Sequence, residues 1–104
     1  MQQQETEQIR RIREMEAILN RAGETMKELL PALDKLEALL PEIRRLIDYY
    51  ESDAWWEDFR DEEEGNLPKD LKRGVLSEDG IYDLLTDYVS AMEAMAALAA
   101  HKDE

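Results

Sequence analysis

Six carboxylates in the second half of the chain stand at helical spacing: Asp58, Asp61 and Glu62 in one segment, Asp79, Asp83 and Asp87 in another. Steps of three and four put side chains on one helical face. Two such faces brought together are how an all-α nucleotide hydrolase holds magnesium and orients a water. Yet 26 of the 104 residues are acidic, so these spacings arise freely, and a solvated acidic face is the plainer expectation. Magnesium-dependent hydrolysis is therefore kept as a rival reading, with no catalytic residue, metal ligand or cofactor assigned. Other chemistries fit less well. Aligning Gly65 with the glycine of an EF-hand loop puts Arg60 at the first ligand position and Leu71 at the last, where oxygen ligands are required. A di-iron bundle needs Glu-x-x-His on two helices, and His101 is the only histidine. No glycine-rich phosphate loop and no nucleophile motif is present.

Charge narrows the partners. The net charge is −13, and it is uneven: residues 1–50 hold ten acids and eight bases (−2), residues 51–104 sixteen acids and five bases (−11). Direct binding to nucleic acid or to an anionic membrane is not expected, because each phosphate contact needs an offsetting cation. A basic protein partner is. The same charge supports a second rival, an acidic inhibitor or antitoxin-like protein that occupies a basic nucleic-acid-binding site. The chain has no cysteine, which fits a cytoplasmic location and excludes disulfides and thiolate metal sites. Its longest apolar run, Ala94 to Ala100, is seven residues, against the roughly 20 that span a bilayer. The opening MQQQETEQIRR lacks the apolar core of a signal peptide.

Two groups of side chains are candidates for contact with a partner. Lys69, Lys72 and Arg73 form a small basic knuckle amid carboxylates. The preferred reading is internal charge balance against Asp61 to Glu64; the sharper one is a receptor for an acidic or phosphorylated partner. Trp55 and Trp56 are adjacent, so on a helix they point about 100° apart. One is expected to pack inward against Tyr50 and the last helix; the plainer reading has both in a satellite core, and the sharper one leaves the other partly exposed as an anchor for a partner.

The elements that position these groups are all helical. Ile12, Met15, Leu19, Ala22, Met26, Leu29, Leu33, Leu36, Leu40, Ile43, Ile47 and Tyr50 follow alternating steps of three and four, a heptad stripe of five and a half repeats. Ile18, Ala32, Leu39 and Leu46 widen it on one side. Pro31 and Pro41 fall at the outward f and b positions, where a proline bends a helix around the core it covers. The pattern predicts one long bent helix from about Glu5 to Tyr50, with Pro41 the place where it would break. A short aromatic-rich helix follows through DAWWEDFRDEEE, capped by Ser52 or Asp53 and ended by Gly65. Pro68 to Arg73 is expected to form a helical turn closed by Gly74 in the left-handed conformation. Ser77 caps the last helix, whose apolar face runs from Ile81 to Ala99. The fold class is thus all-α: long bent amphipathic helix, short helix and turn, and an antiparallel C-terminal helix in a hairpin or bundle. Residues 1–104 form a single domain, with 1–8 and 101–104 frayed.

Lengths carry the last expectation. A helix of about 45 residues is roughly 67 Å long, and a final helix of about 25 covers roughly 37 Å of it. The stripe through Ile12, Met15, Leu19 and Met26 is left uncovered, an apolar row too large for water. A homodimer closing over it, with the two segments antiparallel, is predicted.

The central block carries a resemblance. LPKDLKRGVLSED, followed by IYDLL and preceded by YYESDAWWED, resembles an uncharacterised bacterial family, domain of unknown function 4298, and the similarity extends back to IRRIREMEAIL. The matching positions are Tyr49, Tyr50, Trp55, Pro68, Asp70, Leu71, Lys72, Arg73, Gly74, Ser77 and Asp79. The resemblance implies a small helical protein with no assigned activity, so no catalytic role is carried over. The expected function is a non-enzymatic interaction or structural one.

Overall fold

The computed structural model describes residues 6–103, with side chains to Lys102; the fraying expected at residues 1–5 and 104 lies outside the described residues. Three α-helices and two short 3-10 turns account for the secondary structure, and no strand occurs among the described residues. The chain is all-α. It divides into two compact units at Pro41.

The first unit, Met1–Pro41, is built on α1 (Glu7–Tyr50), which continues beyond it. Thr6 starts this helix: its Oγ1 accepts the Ile9 N–H at 3.1 Å, satisfying one of the donors that a helix N-terminus leaves open. Glu7 and Gln8, expected to fray, are helical. The helix runs unbroken through Pro31 and Pro41. Neither proline can donate to the carbonyl four residues back, so those of Lys27 and Glu37 lose their ladder bonds. No residue of α1 is fully buried. Ile9, Ile12, Met15, Ile18, Leu19, Met26, Leu29 and Leu30 are 41–64% exposed, whereas Leu33, Leu36, Ile43, Leu46, Ile47 and Tyr50 are half-buried.

The second unit, Glu42–Glu104, contains the core. Trp55 on α2 (Asp53–Glu63), Leu76 on the 3-10 turn Gly74–Leu76, and Ile81 on α3 (Gly80–Ala100) are its buried residues. Leu46, Tyr49, Tyr50, Phe59, Leu67 and Leu85 pack around them. An isolated helix shorter than about 12–15 residues is marginal in water, so the 11 residues of α2 depend on this cluster. Farther along α3, Val89, Met92 and Leu98 are exposed. The last described element is a 3-10 turn at His101–Asp103, where fraying was expected.

The link between α2 and α3 differs from expectation in two places. Gly65 ends α2 in the left-handed conformation at φ 74°, as predicted, and its N–H donates to Glu62 O at 3.2 Å. Gly74 does not adopt that conformation; among the described residues Gly65 alone has positive φ. Instead Gly74 opens the 3-10 turn and offers its carbonyl to the Ser77 N–H at 3.2 Å. The expected helical turn Pro68 to Arg73 shrinks to a single turn, closed by Leu71 N–H donating to Pro68 O at 3.2 Å.

Candidate interaction site

The best-defined side-chain arrangement is the aromatic junction where α1 hands over to α2. Ser52 makes the corner. Its hydroxyl donates to Tyr49 O at 2.6 Å and accepts the Trp55 N–H at 3.4 Å, so one side chain serves the end of α1 and the start of α2. Capping fixes where α2 starts after the corner. Trp55 is the buried one, 7% exposed, and Trp56 is 59% exposed.

Trp55 organises the junction through its ring and its single polar atom. The ring stacks on Phe59 with centroids 5.1 Å apart and planes 12° apart, and meets Tyr50 edge-on at 5.3 Å. Trp56 approaches it edge-on at 5.0 Å. Such pairs contribute about 0.5–1.5 kcal/mol each beyond area burial. Nε1–H donates to Val75 O at 2.9 Å, which ties α2 to the 3-10 turn and satisfies the indole on burial. Tyr49 adds a second tie: its hydroxyl donates to Asp58 Oδ2 at 2.6 Å. Desolvation by burial, the hydrogen bond to Asp58 and the Asp58 charge together push the Tyr49 phenol up to about 12.

The entry to α3 rests on two glycines. Ser77 donates its hydroxyl to Gly74 O at 2.8 Å and accepts the Gly80 N–H at 3.0 Å; the N-cap position is Asp79, not Ser77 as expected, and Asp79 makes no side-chain cap bond. The two Ser77 bonds pull Gly80 onto the turn. A Cβ on Gly80 would lie 2.3 Å from Gly74 O and 2.7 Å from Ser77 Oγ. Only glycine fits there.

The basic knuckle separates into unlike parts. Arg73 Nε lies 3.0 Å from Glu62 Oε2, one of the acids it was expected to neutralise. The contact is an ion pair, and that oxygen is buried without an aligned hydrogen-bond donor. Lys69 and Lys72 are exposed. Lys72 edges an apolar cleft of about 430 Å³ whose walls include Leu46, Val75, Ile81 and Leu84. The knuckle is therefore one structural cation and two surface cations.

The six candidate carboxylates do not come together. Among the described residues no three acids or histidines are grouped as a metal ion requires. Asp58 serves Tyr49 and Glu62 serves Arg73. No helix among the described residues is long and apolar enough to cross a membrane. Ile12, Met15, Leu19 and Met26 lie on the exposed stripe of α1, outside the junction.

Two features here were not anticipated from sequence: the Tyr49 to Asp58 bond and the close approach of Gly80. Residues 12–98 match a family model described as Domain of unknown function (DUF4298). No curated protein and no solved structure matches the chain.

Proposed function

The chain belongs to the family of domain of unknown function 4298, and on that premise we propose that it is a non-enzymatic interaction or structural protein whose contact surface is the N-terminal half of α1. The observation that carries the proposal is the exposure of eight large apolar side chains between Ile9 and Leu30. Single apolar residues at a surface need no explanation, but a contiguous row of this size marks a contact site. The aromatic junction is then the anchor that terminates the helix. Replacing Met15 and Leu19 with glutamate tests this. The double variant should keep the wild-type fluorescence of Trp55 while losing every assembly the chain forms in a lysate of its source cell, as read by size separation. Assemblies unchanged in size would refute the proposal. A magnesium-dependent fluorescence change at micromolar to millimolar metal would favour the hydrolase reading instead.

One observation favours a second contact surface, for a basic protein partner. Trp56 is exposed and lines a hollow of about 380 Å³ together with Phe59, Arg60, Glu63 and Glu64, two carboxylates against one resident cation. An aromatic face beside carboxylates suits an arginine or lysine side chain. Trp56→Ala should weaken the binding of a cationic peptide, and unchanged binding would remove this surface from consideration.

A further inference from the structure

The occupant of the α1 stripe is identifiable from its register and its charge. We infer that the segment from Ile9 to Leu30 pairs antiparallel with the same segment of a second copy, with Ile12 facing Leu29, Met15 facing Met26 and Leu19 facing Ala22. This rests on the reading of the stripe as the contact surface.

Three observations lead to it. The first is charge. Residues 7–30 carry five acids and five bases, so the segment is neutral within a chain of net charge −13. Two copies meet there without the repulsion that residues 51–104, at −11, would impose. A cationic partner, in contrast, would be drawn toward residues 51–104.

The second is register. An antiparallel seam sets a positions of one helix against d positions of the other, and such alignments recur in steps of one heptad. Sliding by one heptad toward the N-terminus leaves Met26, Leu29 and Leu30 exposed. Sliding the other way sets Ile12 and Met15 against Leu36 and Leu33, which the chain already half-buries. Of the three, only the alignment centred between Asn20 and Arg21 sets the whole exposed row against itself. At its edges Ile9 meets Leu30 and Ile18 meets Thr25, so no like charges face across the seam.

The third is extent. The eight exposed side chains at 41–64% exposure leave about 800 Å² per chain, the area each partner of a standard interface contributes. A parallel pair would bury a similar row, but it would set side by side the two C-terminal ends of the segment, each leading on into a stretch of charge −11. An antiparallel pair does not.

The absence of cysteine allows a clean test on the full chain. At micromolar concentration the wild type should sediment as a dimer, at twice its 12.2 kDa, and the Met15→Glu, Leu19→Glu variant at 12.2 kDa with unaltered tryptophan fluorescence. Orientation is read by mixing Ile12→Cys with Leu29→Cys under mild oxidation. A disulfide between position 12 of one chain and position 29 of the other is expected, while Ile12→Cys alone should not cross-link, its two thiols being roughly 25 Å apart along the seam. A 12–12 cross-link would overturn the antiparallel register. A purified wild type that stays at 12.2 kDa would overturn self-pairing altogether. The contact-surface proposal would outlive that result if the glutamate variant still lost its assemblies in lysate.

Discussion

Replacing Gly80 with alanine should destabilise the second unit severely, and the structure gives the size of the effect. The added methyl would sit 2.3 Å from Gly74 O and 2.7 Å from Ser77 Oγ, with Gly74 C at 3.3 Å. The nearest atom is backbone, so rotating a side chain gives no relief. Overpacking of this kind costs about 1–3 kcal/mol. Moving the turn also strains both hydrogen bonds of Ser77, and losing such a cap costs about 1 kcal/mol. Alanine returns at most about 1 kcal/mol through helix propensity. The net expectation is a loss of about 1–3 kcal/mol. In a domain of this size each kcal/mol lowers the melting temperature by about 4–8 °C. Thermal melting followed by tryptophan fluorescence reads it directly, because Trp55 is bonded to Val75 in the same turn. Gly23→Ala is the control. Gly23 lies inside α1 with nothing within 4 Å of its would-be Cβ, so the same substitution should add up to about 1 kcal/mol of helix stability, seen by circular dichroism. A Gly80→Ala protein that melts at or above the wild-type temperature would refute the packing argument.

Arg73→Ala should lower stability by about 1 kcal/mol, because it leaves the buried oxygen of Glu62 without its cation; Lys69→Ala, at an exposed position, should leave urea denaturation unchanged, and equal effects of the two would contradict the division of the knuckle. Tyr49 supplies a pH dependence. Its folded value of about 12 lies above the ordinary 10.0, so its contribution is fully present below about pH 10 and is lost as pH rises toward 12. Melting temperature should therefore fall across that window, with Tyr49→Phe removing the part of the slope due to this group; identical slopes in both proteins would count against the bond to Asp58.

Much of the helical layout was legible because it is local. The heptad from Ile12 to Tyr50 and the absence of a strand-like period give α1 to within two residues of its start. Ser52, Gly65 and Ser77 announce the ends of helices through chemistry that acts within three or four residues. Continuity through Pro31 and Pro41 followed from their outward heptad positions. What escaped was decided by distant neighbours. Both glycines of GVLSEDG suggest a turn, but left-handed φ is a property of one residue, whereas the demand on Gly80 comes from the carbonyl of Gly74 folded against it. Adjacent tryptophans imply one inside and one outside, yet the choice of Trp55 depends on the acceptor at Val75, 20 residues away. For the acids, helical spacing on two segments says nothing about whether their faces converge. Asp58 and Glu62 are each engaged by a different neighbour.

The two prolines of α1 divide its hydrogen-bond ladder into blocks of unequal self-sufficiency. The block N-terminal to Pro31 is long enough to persist as helix by propagation alone, whereas residues 31–40, between the prolines, fall below the roughly 12–15 residues at which an isolated helix holds. This middle block is a thermodynamic relay. Each proline removes one bond of the ladder, so order in this block leans on the helix to either side. Anything that steadies residues 7–30 thereby raises the protection of amides as far as Pro41, and loosening the aromatic junction lowers it from the other direction.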